Sequence, residues 1–381
     1  MRISLISAAL VAALVGYGST IALVLAAAAA LGATADQTAN WVLAICLAKA
    51  LGSAVLSTWS RVPVLLAWST PGAALIATTS GIDMSQAVGA FVFAGGLIAL
   101  TALVRPLGRV VAAIPDGIAA AMLAGVLLPF CLKGAGAAEA FPALVLPMVA
   151  VFLGVRLWNQ AVAVLAALAA GVALAFGTGV AVWPALSLPA PAPTFIWPGF
   201  ALQVLIGLGV PLYLVTMAGQ NLPGFAVMRS AGYAPPVNRV LAVTGGLSAL
   251  TALFGAHPVN MAAITAAICM GDDVHPDRDQ RWKVGLAYAG AWICLGLFSP
   301  AIIGLLAALP PQVMGILVAL ALLGPLMGAL GGAYAVPDTR FAATVTLAVA
   351  ASGVVALGIG AAFWGLLAGL TVFWMERTLR R

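Results

Sequence analysis

The chain has 381 residues, of which 64% are apolar and only 7% are charged, and its mean hydropathy is +1.16. Soluble domains are near half apolar and a quarter charged, so this composition excludes an ordinary soluble protein and predicts a polytopic membrane protein. The net charge of +6 does not indicate a nucleic-acid partner, because the 16 Lys and Arg residues form no basic cluster.

Apolar runs separated by short polar or turn-forming stretches follow one another along the whole chain. A span needs about 20 apolar residues, so there is room for about fourteen spans and for no soluble domain. The first run is about twice as long as the apolar part of a signal peptide, so we expect an uncleaved span there. The predicted spans lie near residues 4–31, 38–59, 62–79, 85–104, 115–132, 141–155, 159–180, 200–226, 237–253, 256–271, 283–307, 312–333, 340–359 and 361–376.

The distribution of basic residues predicts the orientation of these spans. If the N-terminus is cytoplasmic, all of the 16 Lys and Arg residues except Lys49 and Lys133 fall on the cytoplasmic side. Cytoplasmic loops of membrane proteins carry an excess of Lys and Arg. We therefore expect a multi-pass protein of a bacterial-type inner membrane, with both termini in the cytoplasm.

A charge-free, proline-rich connector at residues 183–199 divides the chain into two parts with seven predicted spans each, residues 1–182 and 200–381. The stretches "AWSTPGAALIATTSG" (67–81) and "GAHPVNMAAITAAICMG" (255–271) occupy the third span of each part. Because seven is an odd number, the second part must enter the membrane from the opposite side. Inverted repeats of this kind are typical of transporters that work by alternating access.

The third and tenth spans each contain a proline in mid-run. A proline inside a continuous helix costs about 3 kcal/mol, whereas the first turn of a helix tolerates it. We therefore predict an extended stretch followed by a half-helix in each span, beginning at Pro71 and at Pro258. Ser69 or Thr70 is the expected N-cap of the first half-helix, and His257 lies at the cap of the second. Two such N-termini facing one cavity offer N–H donors and partial positive charge, which suits a small carboxylate.

His257 and Asn260 are polar residues in an otherwise apolar run. An ionisable residue inside a span indicates function, and the ordinary histidine pKa of about 6.5 allows proton exchange near neutral pH. The functional interpretation of His257 is a substrate contact or a proton carrier, and the structural one is a buried histidine that caps a helix or bonds a carbonyl. Asn260 either lines the same cavity or caps the chain locally.

Polar residues in three other spans also carry two interpretations. Gln220 and Asn221, in "TMAGQNLPG", either hydrogen-bond between helices or contact the ligand. Tyr17, in "GYGST", offers a ring and a hydroxyl to a ligand or marks close helix packing. Lys49 lies within the second span. Its functional interpretation is that it balances the charge of a substrate, and its structural one is that it pairs with backbone carbonyls or extends to the membrane surface.

The stretch "GDDVHPDRDQRWK" (271–283) is the only dense cluster of charge. Its aspartates and His275 raise the alternative of a divalent-metal enzyme that acts on prenyl diphosphates. No second acidic cluster completes such a site, and basic residues in the same stretch offset the charge. We expect a solvated cytoplasmic loop, and we predict no catalytic residue, metal or cofactor.

Three motifs together, "AWSTPGAALI" (67–76), "AGQNLPGFAV" (218–227) and "GAHPVNMAAITAAIC" (255–269), resemble the benzoate/proton symporter family called BenE over nearly the whole chain. That family is related to the uracil-permease and sulfate-anion transporter group. The resemblance implies an all-α fold of fourteen segments in two inverted repeats. A core domain of segments 1 to 4 and 8 to 11 would move against a gate domain of segments 5 to 7 and 12 to 14, with substrate between the third and tenth segments.

The resemblance also implies site residues by position. These are Ser69, Thr70 and Gly72 at the first half-helix, His257, Pro258 and Asn260 at the second, and Gln220 and Asn221 beside them. The related nucleobase carriers use membrane glutamates in the eighth and tenth segments, which this chain lacks, so proton coupling falls to His257 or to the carboxylate of the substrate. An aromatic ring of the substrate would face Tyr17, Trp68 or Phe254. The predicted substrate-binding residues are Tyr17, Trp68, Ser69, Thr70, Pro71, Gly72, Gln220, Asn221, Phe254, His257, Pro258 and Asn260.

The function predicted from the sequence is uptake of benzoate, or a similar aromatic carboxylate, together with a proton. The lipid bilayer is the other expected partner, and a homodimer is left open. The alternative is an exchanger or facilitator for another small anion or for a nucleobase-like solute.

Overall fold

Helices make up most of the protein, as its many Ala and Leu residues predict. The computed structural model describes residues 2–104, 113–184 and 193–379. Four basic residues used for the predicted orientation lie outside these ranges, namely Arg105, Arg109, Arg380 and Arg381, as do residues 185–192 of the connector.

The helices of the first part follow the predicted runs. Two of them begin at capping boxes, in which Thr34 pairs with Gln37 and Asp83 pairs with Gln86 through reciprocal side-chain and backbone hydrogen bonds. The elements are α1 (Ile3–Ala30), α2 (Ala35–Ser60), β1 (Leu66–Trp68), α3 (Thr70–Ala77), α4 (Met84–Leu103), α5 (Asp116–Ala140), α6 (Pro142–Trp158) and α7 (Ala163–Gly177).

The second part has a similar order of elements. Its short 3-10 turns lie at Arg278–Lys283 and Pro337–Thr339. The elements are α8 (Leu202–Ser230), α9 (Val237–Ala252), β2 (Val259–Met261), α10 (Ile264–Ala267), α11 (Val284–Leu297), α12 (Ser299–Ala307), α13 (Pro311–Ala333), α14 (Arg340–Ala351) and α15 (Ala361–Leu379).

Helix α8 contains two π-helical turns, Leu205–Gly209 and Met217–Asn221. Each turn is followed within two residues by a proline, Pro211 or Pro223. Because proline has no N–H, it releases a carbonyl of the preceding turn, and a wider turn accommodates the change. The second of these turns carries Gln220 and Asn221, so the helix widens where the sequence predicts ligand contacts.

Several helices in the described chain are long and apolar enough to cross a membrane. There are six, namely α1, α2, α4, α5, α8 and α13, and a seventh crossing is counted if Arg278–Leu297 and Ser299–Ala307, which meet at 55°, form one span. Helices α6 and α7 are apolar but shorter. The total of fourteen spans therefore stays a prediction.

The breaks in the third and tenth predicted spans meet in a two-stranded antiparallel ribbon, in which Leu66, Ala67 and Trp68 pair with Met261, Asn260 and Val259. The ribbon continues beyond the paired residues, because Ser69 N donates to the carbonyl of Pro258 (2.9 Å). Both strands lie inside the helix assembly. Their backbone N–H and C=O groups, which a continuous helix would pair within itself, are paired instead between the two breaks.

In the first break the helix begins at Thr70, one residue before the predicted start at Pro71. Ser69 is the N-cap of α3, its Oγ accepts from Gly72 N (3.1 Å), and Pro71 lies in the first turn. The helix start predicted at Pro258 is wrong, since the chain there is extended and α10 begins only at Ile264. Pairing with β1 holds residues 259–261 extended, and a residue cannot be in a strand and in the first turn of a helix at once.

Helix packing relates the two parts of the chain in pairs. Helix α2 packs on α11 and α4 packs on α9, while α5 packs on α13, α6 on α7 and α14 on α15. Small residues allow close approach, as at Gly95, where a Cβ would lie 2.6 Å from Ala249 N of α9. When the two parts of the chain are exchanged, α2–α11 corresponds to α4–α9 and α6–α7 to α14–α15, whereas the close packing of α5 on α14 has only a weaker counterpart between α6 and α13.

Candidate functional site

Side chains from surrounding helices bond the outer edges of the ribbon. Ser53 Oγ accepts from Leu66 N (3.0 Å), and Ser248 Oγ accepts from Val259 N (3.0 Å). Tyr288 adds a bond from its hydroxyl to the carbonyl of Leu66 (3.0 Å). Because a buried N–H without a partner costs about 1–3 kcal/mol, these bonds fix the ribbon in one position.

A cavity of about 450 Å³ lies beside the end of the ribbon at Trp68 and Thr70. One wall comes from α1, α2, β1, α3, α8, α10 and α11, and the opposite wall comes from α6, α7, α13 and the turn before α7. The volume falls within the range of small-molecule sites. The cavity therefore lies between two groups of helices and touches both breaks.

The charged residues that line the cavity are Lys49 and Arg156, and no acidic residue of the described chain lines it. Lys49 comes from α2 and is 1% exposed, whereas Arg156 comes from the last turn of α6 and is half-buried. Polar neutral groups in the lining include Ser19, Thr20 and Thr265. The described lining therefore carries basic groups and no acidic one, which favours an anion over a cation.

Aromatic side chains form a cluster, here called the aromatic cluster, of Tyr17, Trp68, Tyr288 and Trp292. The Trp68 and Trp292 rings are 5.3 Å apart and nearly perpendicular, and Tyr17 lies 5.7 Å from Trp68. Trp68 Nε1 donates to Thr20 Oγ1 (2.7 Å), which fixes the orientation of its indole. Such tilted and edge-to-face pairs pack stably and leave ring faces for a cation or an aromatic ligand.

Lys49 lies against this cluster. Its Nζ is 2.9 Å from the centroid of the Trp292 ring and 3.8 Å from that of Trp68. Among the residues that the structure describes, Lys49 forms no ion pair, since the pair recorded there joins Arg281 to Asp272. The ammonium group is therefore held by cation–π contacts at the cavity wall.

The cavity brings together part of the site predicted from the sequence. Trp68, Thr70 and Gln220 line it. Tyr17 lies in the aromatic cluster, behind the lining. The predicted residues that do not line the cavity are Tyr17, Ser69, Pro71, Gly72, Asn221, Phe254, His257, Pro258 and Asn260.

His257 is fully buried beside the ribbon and is not part of the cavity lining. Its Nδ1 accepts from Trp41 Nε1 (2.9 Å), so the hydrogen of the neutral ring is assigned to Nε2. Nε2 has no hydrogen-bond partner in the described chain. The cap position expected at His257 is wrong, because no helix begins there.

The other predicted residues hold the two breaks in place. Asn221 is buried and its Oδ1 accepts from Met261 N (2.9 Å), a bond that joins α8 to strand β2. Gly72 allows the cap, since a Cβ there would lie 2.7 Å from Ser69 Oγ. Asn260 is buried in the middle of β2. Phe254 is half-buried, and its ring contacts Phe195 edge-on.

The sequence matches one family over residues 1–375, and the family is described as "BenE: Benzoate membrane transport protein". The chain belongs to the BenE family. It is 41% identical to the "Inner membrane protein YdcO" of Escherichia coli (strain K12) over 363 residues, which cover 95% of this chain and 93% of that protein. It is 31% identical to the "Benzoate membrane transport protein" of Acinetobacter baylyi (strain ATCC 33305 / BD413 / ADP1) over 369 residues, with 97% and 94% covered.

Solved structures show the fold of this BenE family member. A structure of SLC26A9 aligns with a TM-score of 0.65 at 12% identity and covers 98% of this chain and 66% of that one. The transmembrane domain of the cyanobacterium bicarbonate transporter BicA aligns with a TM-score of 0.61 at 14% identity, with 97% and 98% covered. The chain is therefore a multi-pass inner membrane transporter with a fold like that of these anion transporters.

Within the described part of this BenE family member, no group of three or more His, Cys, Asp or Glu residues is placed to hold a metal ion. In the Asp-rich loop, Arg281 pairs with Asp272 and also donates to the carbonyls of Met270 and His275. These contacts give the loop a structural role.

Sequence reasoning missed Trp292 and Tyr288 and left Lys49 with two interpretations. Trp and Tyr in membrane proteins concentrate at the membrane surface, so a Trp in the middle of a predicted span is the signal that could have found Trp292. For Lys49, the signal is an ionisable residue in the middle of a predicted span. In this BenE family member, these residues meet in one wall of the cavity only because α2 and α11 pack together.

Proposed function

We propose that the protein imports benzoate, or a similar aromatic carboxylate, together with a proton by alternating access. The observation that carries this proposal is the cavity between the two groups of helices, whose described lining has two cations, no carboxylate and several aromatic rings. Trp68 and Phe152 offer faces to an aromatic ring, while Thr70 and Gln220 offer hydrogen bonds. The names of the family and of one relative support benzoate as the substrate.

The packing of the helices supports alternating access. A core domain made of α1 to α4 and α8 to α12 would move against a gate domain made of α5 to α7 and α13 to α15. The larger contacts, such as α4 with α9, α2 with α11 and α5 with α13, lie within one domain or the other. Their symmetry under exchange of residues 1–182 and 200–381 supports the inverted repeat, which is the usual basis of such motion.

The side of the membrane to which the cavity opens follows from the proposed orientation. With both termini in the cytoplasm, the turn between α6 and α7 is cytoplasmic, and Gln160 and Ala161 of that turn line the cavity together with Arg156. The conformation is therefore inward-facing in this proposal. An anion that arrives from the outside would leave toward Arg156.

We place proton coupling at His257, with Trp68, Thr70 and Gln220 as the substrate contacts among the residues predicted from the sequence. His257 neighbours the substrate side of the ribbon through Pro258, whose carbonyl accepts from Ser69 N (2.9 Å). Its Nε2 has no partner within the described chain, so a proton there is not committed to a structural bond. Coupling requires that proton and anion each favour the binding of the other.

Uptake of labelled benzoate into proteoliposomes tests this function. A proton gradient directed inward should accelerate uptake, and His257→Gln should remove the dependence on the gradient, with a loss of coupling on the order of tenfold. Trp158→Phe, an exposed position on α6, is a matched control that should keep it. Gradient-dependent uptake that survives His257→Gln would remove the histidine from the mechanism.

The same experiment separates benzoate from the other candidate solutes. The likeness to the bicarbonate transporter fold favours a small inorganic anion as the second candidate. Competition by bicarbonate, chloride, uracil and benzamide would be measured against labelled benzoate. A carrier that is inhibited by inorganic anions and not by aromatic acids would replace the proposed substrate, and uptake without any response to the gradient would indicate a facilitator.

A further inference from the structure

Within residues 2–104, 113–184 and 193–379, the ammonium group of Lys49 has no partner of opposite charge. It is 1% exposed, it faces the cavity, and the two contacts recorded for it are those with the faces of Trp68 and Trp292. The other charged residue in the described lining is Arg156, on a helix of the opposite wall. It is also basic, so it cannot offset the charge of Lys49. Ordinary buried cations are paired with a carboxylate or with several carbonyls.

Indole faces alone compensate such a charge only in part. A cation–π contact is weaker than the interaction that an ammonium loses when it leaves water, even for two rings. A carboxylate that enters the cavity would supply the missing opposite charge and a charge-assisted hydrogen bond. The position of Lys49 therefore favours a ligand with one full negative charge over a neutral ligand of the same shape.

We infer that Lys49 is the charge partner of the transported carboxylate, and that Trp68 and Trp292 are its second, weaker partners, to which the ammonium returns when the anion leaves. The inference rests on the proposed function and adds the residue that selects the charge of the substrate. The distances of 2.9 and 3.8 Å to the two ring centroids put Nζ at the cavity wall, within reach of a ligand there.

The weaker partner explains how the site releases its anion. A lysine with no partner but the carboxylate would leave a bare buried charge at release, and dissociation would be slow. With the indoles beside it, the ammonium exchanges one contact for another. Thr20 supports this role, because its bond to Trp68 Nε1 (2.7 Å) holds the indole face toward Lys49.

Binding of benzoate and of benzamide, its neutral analogue of similar shape, tests the inference on the purified full-length protein in detergent. The wild type should prefer benzoate. Lys49→Met keeps the length of the side chain without its charge, and it should weaken benzoate binding about 10- to 100-fold while leaving benzamide binding nearly unchanged. Lys133→Met, at an exposed position on α5, is the matched control and should keep the preference.

A fluorescence measurement tests the same inference without a Lys49 variant. Movement of the ammonium from the indoles to the carboxylate should change tryptophan emission when benzoate is added, and benzamide should not reproduce the change. Trp292→Phe should reduce the benzoate-induced change by about half or more, because two rings share the cation. Trp158→Phe, 88% exposed on α6, should leave it intact.

The outcomes separate this inference from the proposed function. If the wild type binds benzoate and Lys49→Met keeps the same preference over benzamide, the inference is overturned and the function stands. If Lys49→Met does not accumulate in the membrane, an unreduced fluorescence change in Trp292→Phe overturns it instead. If the wild type binds no aromatic carboxylate, the proposed function fails and the inference fails with it.

Discussion

The two breaks in the helical scaffold begin alike and end differently. In each, a three-residue strand lies in the protein interior, and a serine of a neighbouring helix accepts from a strand N–H: Ser53 for β1 and Ser248 for β2. After β1 the chain enters an eight-residue helix capped by Ser69, whereas after β2 it enters a four-residue helix without a side-chain cap.

The difference teaches which local signal decides a helix start. Pro71 follows a serine that caps the first turn, so the cap and the proline act together at one place. Pro258 follows a histidine that is already bonded to Trp41, and the next residues are paired with β1. Of the two breaks, only the first therefore presents a capped helix of useful length. In our inference, the charge of Lys49 takes the place of the second helix dipole that the sequence predicted.

The largest effect on the free energy of unfolding is expected from removing the Asn221 side-chain acceptor, a support that only the second break has. Asn221→Leu leaves Met261 N buried without a partner, so the free energy of unfolding should fall by about 2–3 kcal/mol. Thermal unfolding in detergent, followed by tryptophan fluorescence, would measure the loss. Asn238→Leu, at an exposed position near the start of α9, is the control, and an equal loss there would contradict the structural role of Asn221.

A smaller effect is expected from removing the cap that only the first break has. Ser69→Ala removes the acceptor for Gly72 N and the 2.8 Å contact with Thr216, and should cost about 1 kcal/mol. Because Thr70 lines the cavity directly after this cap, benzoate affinity should also fall in titrations of the purified protein. Ser7→Ala on the exposed face of α1 should change neither quantity. Unchanged affinity in Ser69→Ala would separate the cap from the site.

The smallest expected effect is a difference between two matched variants. Ser53→Ala and Ser248→Ala each leave one strand N–H unpaired, so their losses of unfolding free energy should agree within about 0.5 kcal/mol. The same thermal measurement would compare them, with the wild type alongside. A clear inequality would mean that the two breaks, despite their matching serines, do not carry equal weight in the fold.

Much of the fold could be predicted from the sequence because apolar runs and proline positions act locally. The bounds of α2, α4 and α13 follow from caps and run lengths that lie within a few residues of each helix end. The extended stretch before Pro71 was predicted for the same reason. The start at Pro258 failed because its competitor, strand β1, is distant in sequence, and no local signal reports that pairing.

The candidate site was predictable only in part, for a similar reason. Thr70 and Gln220 adjoin breaks that the sequence reveals, so cavity-lining residues could be named there from the sequence. Lys49 and Trp292 come from the interiors of two long helices, and their contact depends on how α2 and α11 are rotated against each other. Hydrophobic periodicity is weak in helices that are apolar all round, so the facing residues cannot be read from spacing.

The ribbon has a consequence for the biogenesis of the protein. Leu66 pairs with Met261, so, apart from the bond of Leu66 N to Ser53, strand β1 has no partner strand until nearly two hundred further residues have been synthesised and inserted. Until then its polar groups must be hydrated or held by other protein, because lipid cannot bond them. Completion of the fold is therefore a late event that joins the first and second parts of the chain. A chain that stops before β2 would remain a target for proteolytic quality control.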